Sequence, residues 1–161
     1  MSDPVTIERA APRSIAAIAA FRDRAALLAA LRSEYGIAPL TTPGFIQAGP
    51  VTLSRLSPTR YLAAGPRDAA LPAHLAHILA GLAAVTDQSD LWAIFTVSGP
   101  QTRDRLARLV PIDVAPDIFR IGALALTRAG HIDVRVWRVG EQSYEVAVAR
   151  SYAEDLLHAL G

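Results

Sequence analysis

The chain has 161 residues, 52% apolar and 19% charged, with a formal net charge of +1; burial on that scale offsets chain entropy and excludes a disordered chain. All 16 basic residues are arginine, which excludes a Schiff-base lysine, a pyridoxal phosphate anchor and a P-loop lysine. The absence of cysteine excludes disulfides, thiolate nucleophiles, Cys-ligated zinc and a cysteinyl flavin link.

The opening segment MSDPVTIERAAPRS lacks the basic start and apolar core of a secretory leader, and the nearby apolar run from Ile15 to Phe21 is too short for a bilayer. Both point to a soluble cytoplasmic protein with no membrane partner, and residues 1–13 read as an N-terminal tail. Residues 14–21 (SIAAIAAF) predict a buried strand, and a helix follows from about Arg22 to Tyr35, with Leu27, Leu28, Leu31 and Tyr35 on one face. Gly36 is placed to close it. After a loop at Leu40 to Gly44, Phe45–Leu56 and Arg60–Ala64 predict strands around the turn Ser57-Pro58-Thr59. A helix is predicted from about Asp68 to Ala84, with Leu71, Leu75, Ile78, Leu79 and Leu82 on one stripe.

Trp92–Ser98 predicts a strand, and SGPQTRDRLARL a helix start in which Ser98 and Gln101 would form a capping box with Pro100 in the first turn. Ile121–Thr127, Ile132–Val139 and Ser143–Ala149 predict a meander with turns at Arg128-Ala129-Gly130 and Gly140. Ile132, Val134 and Val136 alternate with Asp133, Arg135 and Trp137, so Trp137 falls on the polar face. A last helix starts at Ser151, with Glu154 completing a second capping box. The recurring order predicts an α+β fold of two βαββ-type halves in one domain, 14–161, with half-modules at about 14–84 and 85–161 and a hinge at Val85 to Asp90.

His74 and His77 stand one helical turn apart, but no cysteine or neighbouring acid completes a metal set, so they read as solvated surface. His131 and His158 are isolated, and the single glycine of Ser98-Gly99-Pro100 suits a capped helix better than an anion site. Arg120, Arg128, Arg135, Arg138 and Arg150 are interspersed with Asp113, Asp117, Asp133, Glu141 and Glu145, without an aromatic–basic RNA motif, so no nucleic-acid partner is expected. Tryptophan and arginine are enriched at interface centres, which makes Trp92, Arg135, Trp137 and Arg138 candidate partner contacts.

Residues 87–114, DQSDLWAIFTVSGPQTRDRLARLVPIDV, resemble the folate-dependent aminomethyltransferase superfamily. The matching points are Asp87 and Ser89, the turn Ser98-Gly99-Pro100, and Asp113-Val114. The segment 129–161 resembles the same superfamily's glycine turn, strand pair and closing helix, and Ala149-Arg150-Ser151-Tyr152-Ala153 is similar to a motif of the sarcosine oxidase gamma subunit family. Residues 22–83 match by pattern only, best at Arg60-Tyr61-Leu62. The resemblance implies a GcvT-like fold, similar to the N-terminal domain of the folate-binding aminomethyltransferases.

It also implies a non-catalytic gamma subunit of a bacterial heterotetrameric sarcosine oxidase, with the alpha subunit as the main partner beside beta and delta. FAD, FMN, NAD and tetrahydrofolate are expected on those partners, none on this chain. A gamma-type subunit of N-methylglutamate dehydrogenase and a free-standing folate-binding protein are the alternatives. Asp113 matches the position of a catalytic aspartate, which makes it the one candidate for inherited chemistry, against a reading as a loop cap. The turn Ala129-Gly130-His131-Ile132-Asp133 keeps one acid where the superfamily has two, and Ala149 stands where it has Asn. Those departures predict an eroded folate pocket.

Overall fold

The computed structural model describes residues 5–38 and 40–161. Their elements are, in chain order, β1 (Thr6–Arg9), β2 (Arg13–Ala20), α1 (Arg24–Tyr35), β3 (Gly44–Ala48), β4 (Val51–Ser57), β5 (Arg60–Pro66), α2 (Leu71–Ile78), β6 (Ala83–Asp87), β7 (Trp92–Ser98), α3 (Thr102–Leu109), β8 (Leu124–Ala129), β9 (Ile132–Gly140), β10 (Ser143–Ala149) and α4 (Ala153–Leu160). The strands form two five-stranded antiparallel sheets, ordered β3-β4-β5-β2-β6 and β1-β7-β10-β9-β8. The α+β class read from the sequence is the class observed. The chain divides into two compact units, Pro12–Asp90 and the segment up to Ala11 with Leu91–Gly161.

In the unit Pro12–Asp90, period-two alternation sends Ala16, Ile18, Tyr61 and Ala63 to the sheet face that packs with Leu27 and Leu31 of α1 and with Leu71, Leu75 and Leu79 at α2. Leu27, Leu75 and Leu79 are fully buried, each contributing about 1.5–3 kcal/mol of transfer free energy. Asp23 caps α1 by accepting from the Ala26 N–H at 2.9 Å. Gly36 closes it in the left-handed region, φ 67°, as its position in the sequence predicts.

Two expectations in this unit are corrected. Phe45–Leu56 is not one strand: Gly49-Pro50 folds it into the β3–β4 hairpin, with Ala48 opposite Val51. The helix expected over 68–84 is half as long. A single 3-10 turn at Arg67–Ala69 precedes α2, and Gly81 at φ 78° turns the chain back, so Ala83–Asp87 becomes β6 and pairs with β2 from Ala20↔Ala83 to Ala16↔Asp87. The leucine stripe fits a helix through Leu82, but the left-handed turn at Gly81 ends helical pairing. The stretch assigned as a hinge therefore begins inside a strand.

In the other unit, Phe95, Val97, Val134, Val136, Val146 and Val148 share a face with Leu106 of α3 and Leu156 and Leu160 of α4. The expected tail is corrected here, because Thr6–Arg9 pair with β7 from Thr6↔Ser98 to Arg9↔Phe95. Neither capping box forms. Ser98 belongs to β7 and Gln101 precedes α3 without a side-chain cap, while a 3-10 turn at Arg150–Tyr152 displaces the start of α4 to Ala153. The meander is as predicted, although β8 starts at Leu124 and its turn to β9 is Gly130-His131.

Ser14, buried in β2, accepts from the Leu71 N–H at 2.9 Å and so satisfies the first amide of α2 from 57 residues away. Ser14→Ala leaves that amide unpaired, and urea unfolding should show a loss of about 1–3 kcal/mol. Leu75→Ala should lose about 2–5 kcal/mol by the same measurement.

Candidate functional site

The Asp-x-Ser motif sits where β6 leaves the sheet. Asp87 Oδ1 accepts from the Ser89 N–H at 2.9 Å and from its hydroxyl at 2.6 Å, and Ser89 Oγ accepts from the Ile15 N–H at 2.9 Å. The motif thus ties the exit of β6 to β2. The Ser89 hydroxyl, then the Ser89 amide, hold the Asp87 carboxyl below the usual aspartate range.

Asp113 is exposed and its Oδ1 accepts from the Ala115 N–H at 2.9 Å, an Asx turn that starts the segment leading to β8. The loop-cap role weighed from the sequence is the contact it makes. The far end of this segment is gripped by Arg138, whose Nη1 donates to the carbonyls of Phe119 at 2.8 Å and Pro116 at 3.3 Å. Its Nη2 donates to the Glu141 carbonyl at 3.2 Å and its Nε to the Gly140 carbonyl at 3.3 Å. Phe119 then stacks on Tyr144 with ring centroids 6.4 Å apart.

The remaining sequence candidates are dispersed. His74 pairs with Glu34 of α1, an acidic partner that sequence spacing could not reveal, while His77 is exposed. No cluster of three or more metal-ligating side chains occurs among the described residues. Beside Glu34, Tyr35 has its phenol pushed up to about 12, by burial first and by the Glu34 charge second. The arginines noted in the C-terminal half do not form one basic patch: Arg128 pairs with Asp133 at 3.2 Å, Arg120 Nε donates to the Asp117 carbonyl at 3.1 Å, and Arg138 is a buried clamp.

The four candidate contact residues separate. Trp137 retains 7% exposure and Arg138 5%, so neither offers a contact surface. Trp137 lies on the face predicted for it, paired with Leu124 and Glu145, but that position is covered; Arg138 is drawn inward by four carbonyls. Trp92 and Arg135 are partly buried, with the Arg135 guanidinium 4.1 Å from the Trp92 ring centroid. Between their strands runs β10, where Ala147 pairs with Arg135 and Ala149 with Trp92. These two small side chains let the arginine cross the sheet to the indole.

The stacked pair forms one side of a groove of about 410 Å³ whose lining includes Leu126, Arg128 and Asp133. Sequence reasoning singled out neither Leu126 nor the groove. The alternation of Asp133, Arg135 and Trp137 put them on one face, but the β8 register that sets Leu126 opposite Arg135 and Arg128 opposite Asp133 is visible only in the fold.

A five-stranded antiparallel sheet in each of two units, with helices packed on one face, defines an α+β domain. The chain belongs to the GCVT N-terminal domain family, whose model matches residues 31–161. It is similar to sarcosine oxidase subunit gamma of Corynebacterium sp. (strain P-1), 32% identical over 106 residues covering 65% of this chain and 52% of that protein. The chain thus spans about half the length of the curated relatives it matches.

Among solved structures, a chain of heterotetrameric sarcosine oxidase from Corynebacterium sp. U-96 in complex with pyrrole 2-carboxylate superposes with a TM-score of 0.86 at 26% identity, covering 97% of this chain and 81% of that one. The glycine cleavage system aminomethyltransferase T from Bartonella henselae shares the fold, with a TM-score of 0.73 at 14% identity over 97% of this chain and 45% of that one. Among the described residues no helix is long and apolar enough to cross a membrane.

Two outcomes test these assignments. Ser89→Ala should raise the Asp87 pKa toward the ordinary aspartate value of about 3.9, seen by NMR titration of its carboxyl. The wild-type carboxylate contributes stability above that value and loses it as pH falls through its lowered pKa. Arg138→Met should destabilise the protein by about 2–3 kcal/mol in urea and increase amide exchange at Phe119, because it strips a charged donor from buried carbonyls.

Proposed function

We propose that the chain is a non-catalytic, gamma-type subunit of a heterotetrameric sarcosine oxidase that stabilises an assembly whose larger subunits carry out oxidative demethylation. The single observation that carries this reading is the TM-score of 0.86 over 97% of the chain against a heterotetrameric sarcosine oxidase, with sequence similarity to proteins named subunit gamma. Local chemistry supports it. Asp113, the one candidate for an inherited catalytic carboxylate, is exposed and bonded to the amide two residues on, and Asp133, the one acid kept in the glycine turn, is paired with Arg128. Ala149 has no polar group to offer where the superfamily has Asn, which supports a reading in which this chain holds no pteridine.

In this reading the partners are an alpha subunit, most directly, with beta and delta subunits, in the cytoplasm. FAD, FMN, NAD and tetrahydrofolate reside on those larger chains. The small subunit stabilises by mass action, because a chain that binds only the folded complex raises its apparent stability.

Co-expression with the large subunits and purification through a tag on this chain should recover a yellow complex that oxidises sarcosine, while this chain alone should be colourless and inactive. Omitting it should lower the melting temperature of the remaining complex. Sarcosine turnover by the purified chain alone, or tetrahydrofolate binding by it that Asp113→Ala abolishes, would overturn the proposal.

A further inference from the structure

We infer that the turn segment gripped by Arg138 is a docking knuckle, which sets Ile118, Ile121 and Val139 into an apolar pocket with a basic rim on a larger partner subunit. This rests on the subunit reading above and specifies the surface and the chemistry of what it meets. Of the large apolar side chains left exposed among the described residues, Ile118 and Ile121 are the most exposed, at 62% and 56%, and they stand three residues apart in one segment. Val139, 39% exposed, lies beside Ile121, because the Gly122 N–H donates to the Arg138 carbonyl at 3.0 Å and the Arg138 N–H to the Ala123 carbonyl at 3.0 Å.

Local packing does not require them. The segment buries Val114 and Phe119 in the core and leaves the two isoleucines out. Ile118 sits on a single turn in which the Ala115 carbonyl accepts from the Ile118 N–H at 3.0 Å and the Phe119 N–H at 2.8 Å. Ile121 occupies the corner of the next turn, where the Arg120 carbonyl accepts from the Ala123 N–H at 2.9 Å and Gly122 takes φ 93°. Such corners ordinarily carry Gly, Pro, Asn, Asp or Ser, so the turn itself does not call for an isoleucine. The frame beneath is held firmly: Arg138 ties the carbonyls of Pro116 and Phe119 to those of Gly140 and Glu141, and Phe119 stacks on Tyr144. An apolar surface fixed in this way binds with little further loss of loop entropy.

The surrounding charge specifies the partner. The exposed charged residues of 113–122 and 139–142 are Asp113, Asp117 and Glu141 against Arg120. Neither Asp117 nor Glu141 joins an ion pair among the described residues, and Arg120 turns its Nε to the Asp117 carbonyl at 3.1 Å. The chain at Asp117 and at Glu141 is drawn together, since the Pro116 and Glu141 carbonyls meet on one buried guanidinium. The rim is therefore acidic, and the complementary pocket carries arginine or lysine around an apolar floor. A second copy of this chain is the poorer occupant, because a twofold contact would set Asp117 and Glu141 against the same acids. An anionic membrane surface is opposed by the same charges.

The test titrates this chain and its variants against the complex of the remaining subunits, purified without it. Ile118→Ser combined with Ile121→Ser should weaken binding by about tenfold for each isoleucine, or ~1.4 kcal/mol each, with the circular dichroism and melting temperature of the isolated chain unchanged. Asp117→Arg should slow association and flatten the salt dependence of binding. That variant alters no apolar side chain, so it keeps the test open should the double variant misfold.

Wild-type affinity in the folded double variant overturns the docking knuckle while leaving the subunit reading intact. An unchanged salt dependence in Asp117→Arg overturns the basic rim and with it the occupant named here. Failure of the wild-type chain to bind the other subunits at all removes both readings. Dimerisation of the isolated chain, or its sedimentation with phosphatidylserine vesicles, that the double variant abolishes gives the isoleucines to another occupant and overturns the inference.

Discussion

The open face of the second sheet depends on the stack of Arg135 on Trp92. An antiparallel strand must send neighbouring side chains to opposite faces, so β10 buries Tyr144, Val146 and Val148 on one side and sets Glu145, Ala147 and Ala149 on the other. Because two of those three are alanine, a long side chain from β9 can lie across β10 and reach β7. A large residue at Ala147 or Ala149 would meet that arginine. An Asn at the end of this strand, as the superfamily resemblance would have it, would bring a polar group there in place of Ala149.

Much of the architecture follows from local pattern. Gly36 at a helix end, the alternation from Ile132 to Trp137 and the leucines of α1 are each decided by neighbours within a turn or two, and each reading matches the structure. The failures have a common physical form. Leu71 to Leu82 keeps helical spacing, yet the left-handed turn at Gly81 and the β2 ladder take the chain into β6. Ser98 has the chemistry of a cap but stands between Thr6 and Ser143 in the sheet. In both cases a partner distant in sequence outweighs a local preference.

The candidate site was legible by residue type and opaque by geometry. Trp92, Arg135, Trp137 and Arg138 look alike as interface residues, whereas the fold leaves the first two partly accessible and buries the others. Only the carbonyls of Pro116, Phe119, Gly140 and Glu141, drawn together by a loop and a turn, explain why an arginine can sit inside without a carboxylate. Asp113 shows the converse: the resemblance marks it as a candidate for inherited chemistry, and only the fold reveals that its carboxylate accepts from the Ala115 N–H in an Asx turn.

The strand at Thr6–Arg9 has an implication for how the molecule comes into being. Its ladder partner, β7, ends at Ser98, so a growing polypeptide carries an unmatched first strand while the whole of Pro12–Asp90 leaves the ribosome. The intervening unit has all its own sheet partners and can close early, whereas the other must wait for both ends of the chain. A cut anywhere between the two halves would therefore leave one sheet an edge short, and the module behaves as a domain inserted into another rather than as two beads in a row.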